Sequence, residues 1–431
     1  MKTLIENISE IYTADQTNKV LKDAYMIIDD QRIKEIGPTN QLKGERAAFD
    51  RIINGKNKMV LPGLINSHTH TAMTLLRGYA DDLPLRKWLE EKIWPFEAKL
   101  SADDIYWGSM LAILEMLSSG TTTFTDMYFQ MDRVAEAVTE TGIRAVLSEG
   151  LIEANDGAAG LKSAQKFSQD YHQQADGRIT TMLAPHSPYT CSTRYLKEIV
   201  EISAVLQLPI NIHVAETKVE YEESKRKHGL SPVKYLDKIG LLERPVLAAH
   251  CVYVDQEEID ILAEKGVGVA YNPCSNMKLA SGIAPVVRML EAGVAVGLGT
   301  DGVSSNNNLD LIEEARFGSY LQKVNQLDPT TLNVLTLLNM VTASGAEILR
   351  IKELGRLKKG YLADLIMVDL NKSSYFYPAH NNLSNLFFAG NGRDVSTVII
   401  NGELIIDNYN ILTIDQERVY YEIEQIIANN C

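Results

Sequence analysis

At 431 residues the chain is long enough for one large domain and a smaller one, or for two of medium size. Apolar residues at 45% and charged residues at 23% give an ordinary globular balance, and a net charge of −14 argues against nucleic acid or an anionic membrane as partner. No apolar run approaches the roughly 20 residues that span a bilayer, and the opening MKTLIENISEIYTADQ carries acids where a secretory signal needs an apolar stretch.

Residues 1–57 read as short strands, among them AYMIIDD and RIKEIG, joined by polar turns. From residue 58 the rhythm changes. Eight short apolar or β-branched runs follow in order: MVLPGLINSH, TTTFTDM, RAVLSEG, TTMLAPH, PINIHVAE, VLAAHCV, GVAYNP and VAVGLGTD. Helix-like segments separate most of them. In SADDIYWGSMLAILEMLSSG, Ser101 is placed to cap, Trp107, Met110, Leu111, Leu114 and Leu117 form one stripe, and Gly120 ends the helix. In DQEEIDILAEKG, Asp255 and Glu258 form a capping signal and Gly266 terminates. Strands apolar throughout and linked by helices imply a parallel sheet covered on both faces. Eight such units predict an α/β fold, a (β/α)₈ TIM-type barrel over 58–351, with an open doubly wound sheet as the competing architecture.

Strands return after 352 in ADLIMVDL and STVIINGELIID, where Asn401 and Gly402 read as a hairpin turn. The chain closes on a helix with a capping signal at Thr413 and Gln416 and an apolar face of Val419, Ile423, Ile426 and Ile427. Neither end has apolar material for its own core, so 1–57 and 352–431 are expected to meet as one small composite β-sandwich domain. The four cysteines, Cys191, Cys251, Cys274 and Cys431, form no CxxC pair. They indicate neither a thiolate zinc site nor a disulfide framework, and a reducing cytoplasm is the expected compartment.

The polar residues that end these runs carry the chemistry, because a barrel of this kind works at the C-terminal ends of its strands. His68 and His70 end the first run, His186 the fourth, His213 and Glu216 the fifth, His250 the sixth and Asp301 the eighth. Five of only eight histidines thus fall at predicted strand ends. A pair spaced i, i+2 shares one face of a strand, with Cα atoms about 6–7 Å apart, so both rings can converge on one ion. Each residue has a plainer reading: HxH as packing, His213 and His250 as core histidines, Asp301 as a turn-former, Glu216 as a solvated helix start. Taken together, three imidazoles and a carboxylate from the first, fifth and eighth strands make an N₃O set suited to one Zn²⁺, with Fe²⁺ as the alternative. Glu216 is placed to shuttle protons without binding metal, and His250 to exchange a proton with the attacking water. The fourth run offers His186 but no lysine for a bridging carbamate, so a single metal is expected.

These residues resemble the amidohydrolase superfamily, and most closely its 5-methylthioadenosine/S-adenosylhomocysteine deaminase branch. The likeness runs through essentially the whole chain: LPGLINSHTHTAMTLLRGYADDLPLRKWLEEKIWPFE, SSGTTTFTDMY, APHSPYTCS, HVAET, AHCV, NPCSNMKLASGIAPV, GTDGVSSNNNLDLIEE and GRLKKGYLADLIMVDL. The resemblance implies that His68, His70, His213 and Asp301 bind metal. It makes Glu216 the acid that protonates the purine and His250 the partner of the water. Glu97 would hold the ribose hydroxyls and His186 would hydrogen-bond the purine. The implied reaction is hydrolytic deamination of an adenine nucleoside, a small-molecule substrate, and the expected assembly is a homo-oligomer.

One position departs from the family pattern. Where an arginine follows VLS in the third strand to contact substrate, this chain has Glu149, and the stretch to Gly177 offers only Lys162 and Lys166 as cations. Guanidinium–carboxylate forks are strong and geometrically demanding, and a glutamate repels a carboxylate. Glu149 is therefore expected to select against S-adenosylhomocysteine and for methylthioadenosine, adenosine or 5′-deoxyadenosine. A triazine, pterin or guanine hydrolase on the same scaffold is the runner-up, against which the WPFE carboxylate argues. A non-catalytic barrel homologue is the remaining alternative.

Overall fold

The computed structural model of the chain describes residues 1–15, 17 and 19–430; Cys431 therefore lies outside the described residues. The N-terminal strands are β1 (Lys2–Tyr12), β2 (Val20–Asp29), β3 (Arg32–Pro38), β4 (Arg51–Asn54) and β5 (Lys58–Pro62). Next come β6 (Leu64–His70), β7 (Thr121–Tyr128), β8 (Arg144–Leu151), β9 (Ile179–Thr181) and β10 (Ala184–Pro185). They are followed by β11 (Ile210–Val214), β12 (Val246–His250), β13 (Gly268–Tyr271), β14 (Val296–Leu298) and β15 (Asp301–Gly302). The last strands are β16 (Leu365–Asp369), β17 (Val395–Ile400), β18 (Glu403–Asp407) and β19 (Asn410–Ile411).

Strands β6 to β15 form the barrel. All pairings among them are parallel, and the residues of β7 are buried without exception, as strands between a helical layer and a packed interior must be. Two of the eight staves are broken: the fourth is β9 with β10, and the eighth is β14 with β15. Asp301 pairs with Thr69 and Gly302 with His70, while a bridge from Leu183 to Ile210 joins the fourth stave to the fifth. The ring closes, and the open doubly wound alternative falls away.

The terminal strands form one nine-stranded sheet in the order β19-β18-β17-β16-β5-β1-β2-β3, with β4 on β1. Ile5, Ile8, Met26, Val60, Leu365 and Ile399, from both ends of the chain, share a single core. The two ends are thus one body, hydrogen-bonded as a continuous sheet. The run MVLPGLINSH is not one strand. Its first half, β5, pairs with β1 and antiparallel to β16, and only β6 belongs to the barrel. Gly63 lies at the break, where a Cβ would collide with Thr122, so no larger residue passes between the two sheets.

The helix Ala102–Ser118 has Ser101 and Asp104 as a full capping box, and Gln256–Glu264 has Asp255 and Glu258. Asn401 and Gly402 take positive φ at the β17–β18 hairpin, as a type I′ turn requires. The last helix, Gln416–Asn430, is capped differently from expectation. Asp415 accepts from the Arg418 N–H at 3.1 Å, while the Thr413 hydroxyl donates to Thr141 of the barrel at 2.8 Å. A carboxylate nearer the first turn outcompetes the hydroxyl for the orphan amide.

Arg144, at the start of β8, ties the two domains together. Its guanidinium donates to both carboxylate oxygens of Asp364 at 2.8 and 3.1 Å and to Asn401 at 3.2 Å, and both charged side chains are buried. Removing one partner strands the other charge, a loss of about 3–5 kcal/mol for a buried pair. Asp364→Ala should therefore lower the thermal unfolding midpoint clearly, whereas the exposed pair Arg194–Glu198 should leave it within a degree or so when Glu198 becomes Ala.

Candidate active site

Four of the strands that end at one mouth of the barrel, β6, β11, β12 and β15, deliver polar side chains there. His68 and His70 share one face of β6; His213 comes from β11, His250 from β12 and Asp301 from β15. The rings of His68 lie 4.9 Å from those of both His70 and His213, centroid to centroid. The His70 Nδ1–H donates to the Met127 carbonyl at 2.7 Å, and the His213 Nδ1–H to the His186 carbonyl at 2.7 Å. Both rings are thus held in the tautomer whose Nε2 lone pair faces inward. Those two Nε2 atoms stand 3.4 Å apart, and Asp301 Oδ1 is 3.2 Å from His70 Nε2 and 3.6 Å from His68 Nε2. His68 is wholly buried, and neither ring nitrogen has a hydrogen-bond partner. Acceptors aimed at one another in a buried space require a shared cation. Three imidazoles and a carboxylate fit one tetrahedral metal of the zinc type.

The electrostatics agree. Burial opposes charge on His70, yet its hydrogen bond to Asp301 lifts it to about 9. Burial likewise opposes ionisation of Asp301, but His70 and His250 hold its carboxyl well below the usual range. Burial holds His68 and His213 well below the ordinary imidazole value, and drives His186 to about 4. Burial thus keeps His68 and His213 neutral, with lone pairs to offer a cation.

The rim carries acids. Glu216 Oε2 is 4.0 Å from His250 Nε2, and burial raises the Glu216 carboxyl. Ala215, His250 and Asp301 have φ of 52°, 75° and 62°, left-handed conformations of non-glycine residues that each hold about 1–3 kcal/mol of strain. The turn at Ala215 is held by Glu220, whose buried carboxylate accepts the N–H groups of both Ala215 and Glu216 at 2.8 Å.

Above the cage lies a cleft of about 720 Å³ into which Glu97, His186, Glu216 and His250 all project. Glu97 ends the short helix Trp94–Glu97, accepts a hydrogen bond from the Tyr128 hydroxyl, and is pushed by burial to about 7. His186 has Nδ1 engaged with Ser187 and Thr190 at 3.1 and 3.2 Å, leaving Nε2 for the cleft.

Glu149 is a correction. Its neighbour Gly150 lines the cleft and Glu149 does not; instead its carboxylate accepts from the Ser163 hydroxyl at 3.0 Å, on the helix Glu153–Tyr171 behind β8. Successive residues of a strand face opposite sides, and Glu149 has the outward parity. Sequence reasoning also missed residues that carry no titratable signal: Ser275 and Ser305, whose hydroxyls donate to Asp301 Oδ2 at 2.6 and 3.1 Å, and Asn276, beside His250. Asp126 was missed too. It accepts from the Thr71 N–H at 2.9 Å and pins the turn that follows His70.

A closed parallel barrel with a histidine–carboxylate cage at its C-terminal mouth defines a metal-dependent hydrolase. The chain belongs to the amidohydrolase family, whose profile matches residues 59–405. It is 59% identical over 426 residues to a 5-methylthioadenosine/S-adenosylhomocysteine deaminase of Halothermothrix orenii, covering 99% of both chains. A protein of the same name from Syntrophomonas wolfei is 51% identical, covering 97% of both. Among solved structures, an adenosine deaminase from Xanthomonas campestris with bound zinc superposes with a TM-score of 0.94 at 33% identity, covering 99% of this chain and 98% of that one. An atrazine chlorohydrolase from Arthrobacter aurescens complexed with zinc gives 0.91 at 25% identity, covering 99% and 100%.

Two outcomes are expected. Replacing His213 with Ala removes one of three inward nitrogens, so metal analysis after dialysis should fall from about one zinc per chain to a small fraction of that. The second concerns Glu314, a buried residue that accepts from the Cys274 N–H at 3.2 Å and is raised by burial from 4.5 to about 8. The folded chain keeps a proton that the unfolded chain releases above 4.5. The stabilisation is therefore full below that pH and is lost as pH rises through about 8. Between about pH 6 and pH 9, the thermal midpoint of Glu314→Gln should fall less than that of the wild type.

Proposed function

We propose that the protein is a zinc-dependent hydrolytic deaminase of adenine nucleosides, exchanging the 6-amino group for oxygen to give the inosine analogue and ammonia. The observation that carries this reading is the cage of His68, His70, His213 and Asp301 with Glu216 and His250 on its rim, beneath a cleft that holds Glu97. The names of the relatives and the zinc-bound adenosine deaminase neighbour support it.

When bound, zinc supplies the acidity that makes a water nucleophilic near neutral pH. The chain's residues do the rest. Glu97 accepts the ribose hydroxyls, with Tyr128 holding its carboxylate in place. His186 Nε2 meets the purine edge. Asp301 and His250 take the proton of the water as its oxygen bonds to C6. Glu216, whose protonated form burial favours, gives its proton to N1, so negative charge never builds on the ring. The C6–N bond breaks once the amino group gains the proton held by Asp301 and His250; ammonia leaves, and the proton of the new C6 hydroxyl returns to Glu216.

The cleft also bears on the 5′-substituent. Leu85, Trp88, Met127, Phe129 and Ile152 give it an apolar wall, and among the described residues no lysine or arginine lines it. The adjoining cavity carries Lys218 and Arg86, but Arg86 is largely exposed and paired with Glu90 at 2.9 Å. Such a wall suits a neutral methylthio or deoxy group. Burying a zwitterionic homocysteine tail against it leaves two charges without partners. The preference for neutral substrates thus rests on the apolar wall, not on repulsion by Glu149.

Cys191, Cys251 and Cys274 are free, which supports a cytoplasmic setting. Among the described residues, no helix is long and apolar enough to cross a membrane. On the helix Leu311–Gln326 and its cap, Phe317, Tyr320, Val324 and Leu327 expose an apolar stripe, which supports a homo-oligomer. Light scattering on the purified chain reads that directly.

Glu216→Gln should keep its zinc and lose about 10²–10⁴-fold in kcat, because the acid is gone and the ligands are not. Near-wild-type turnover removes Glu216 from the mechanism. In an ammonia-release panel, methylthioadenosine, 5′-deoxyadenosine and adenosine should each exceed S-adenosylhomocysteine in kcat/KM by about tenfold or more, with guanine and a pterin inert. S-adenosylhomocysteine as the best substrate contradicts the apolar-wall argument, and turnover of guanine alone contradicts the nucleoside reading.

A further inference from the structure

Strand β13 supplies none of the residues that the sequence marks as functional, yet the segment 272–281 that leaves it touches all three groups assigned to proton transfer. The Ser275 hydroxyl donates to Asp301 Oδ2 at 2.6 Å. Asn276 Oδ1 stands 2.9 Å from His250 Nδ1. The Ser281 hydroxyl reaches Glu216 Oε1 at 3.4 Å, the long end of hydrogen-bond range. All three side chains are buried, so none is a surface coincidence. We propose that this segment is the positioning element of the reaction, and that Asn276 is its controlling residue because it sets the tautomer of His250.

A neutral imidazole has one donor and one acceptor nitrogen. An amide oxygen only accepts, so the contact with Asn276 Oδ1 places the proton on Nδ1 and leaves Nε2 with a free lone pair. That lone pair lies on the side of Glu216, 4.0 Å from its carboxylate, and serves as the acceptor for the proton of the water. The competing donor, Asn272 Nδ2, is farther from Nδ1, at 3.4 Å. Asn276 Nδ2 has no partner of its own, so the Oδ1 contact with His250 is the side-chain hydrogen bond of this amide. His250 also sits at a left-handed φ of 75°, a backbone state that needs an outside contact to aim its ring. With the opposite tautomer, Nε2–H would donate toward Glu216 and Asp301 alone would be left to accept from the water. Asn276 thus acts through His250 and touches no substrate.

The activity arm of the test rests on the deaminase reading; the tautomer arm needs no substrate, so the two fail separately. With selectively ¹⁵N-histidine-labelled zinc holoenzyme, the long-range ¹H–¹⁵N pattern of His250 should report an Nδ1-protonated ring. Asn276→Asp keeps an acceptor oxygen and should preserve that pattern, with kcat within about tenfold of wild type. Asn276→Leu has similar bulk and no acceptor. It should lose the pattern and about 10²-fold in kcat, with KM within about threefold and zinc content unchanged. Three results overturn the proposal: an Nε2-protonated His250 in the wild type, wild-type turnover in the Leu variant, or equal losses in Asp and Leu with the tautomer unmoved. The first needs no variant, so a Leu variant that fails to fold leaves the proposal open to refutation.

Discussion

The site depends on one pairing, that of the last barrel strand with the first. When Asp301 aligns with Thr69 and Gly302 with His70, the same register that closes the ring brings a carboxylate against two imidazoles. The fit is tight: a Cβ at Gly299, just ahead of Asp301, would lie 2.9 Å from both the Cβ and the backbone nitrogen of His68. Asn66 fastens the junction, its side chain accepting from the Thr300 N–H at 3.0 Å and donating to the Thr300 hydroxyl at 2.8 Å. Barrel closure and cage assembly are therefore one event, and a fault in either disrupts both.

That closure brings charge and polar atoms into a place where water cannot satisfy them. The structure answers with hydrogen-bond partners placed by neighbouring segments. Ser275, Ser305 and the Gly302 N–H all serve Asp301, the last at 2.7 Å. Carbonyls of Met127 and His186 serve the histidines, and Glu220 serves the turn at Ala215. Fixed dipoles of this kind hold charge without reorganising as a reaction proceeds. They also offset the left-handed backbone at Ala215, His250 and Asp301.

Much of this was legible in the sequence because barrels convert order into position. Histidines and an aspartate at the ends of the first, fifth, sixth and eighth runs had to share one mouth once the fold was recognised. What failed was parity and punctuation. Glu149 and Gly150 differ by one residue, and that single step decides which of them faces the cleft. In MVLPGLINSH the apolar character runs unbroken through Gly63, so nothing local announces that the chain changes sheets there. Asp415 and Thr413 both offer caps, and only the contact of Thr413 with Thr141 shows why the aspartate takes that role. Ser275 and Asn276 gave no signal because hydroxyls and amides are common in loops and acquire meaning only from what they touch.

The division between chemistry and selection follows the same geometry. Groups that move protons or could hold zinc stand on strand ends or on turns pinned to them, where backbone hydrogen bonds fix their positions. Residues that line the cleft beyond the cage, among them Leu85, Trp88 and Glu97, stand on the short helical segments after β6, outside the barrel wall. Substitutions there change the shape and polarity of the cleft without straining the ring, since none of those residues takes part in strand pairing. The cage, by contrast, cannot change a member without leaving buried lone pairs or a buried carboxylate uncompensated. Such a scaffold holds its reaction fixed and leaves the substrate's far end free to vary. An apolar wall there alters the cleft without touching the cage.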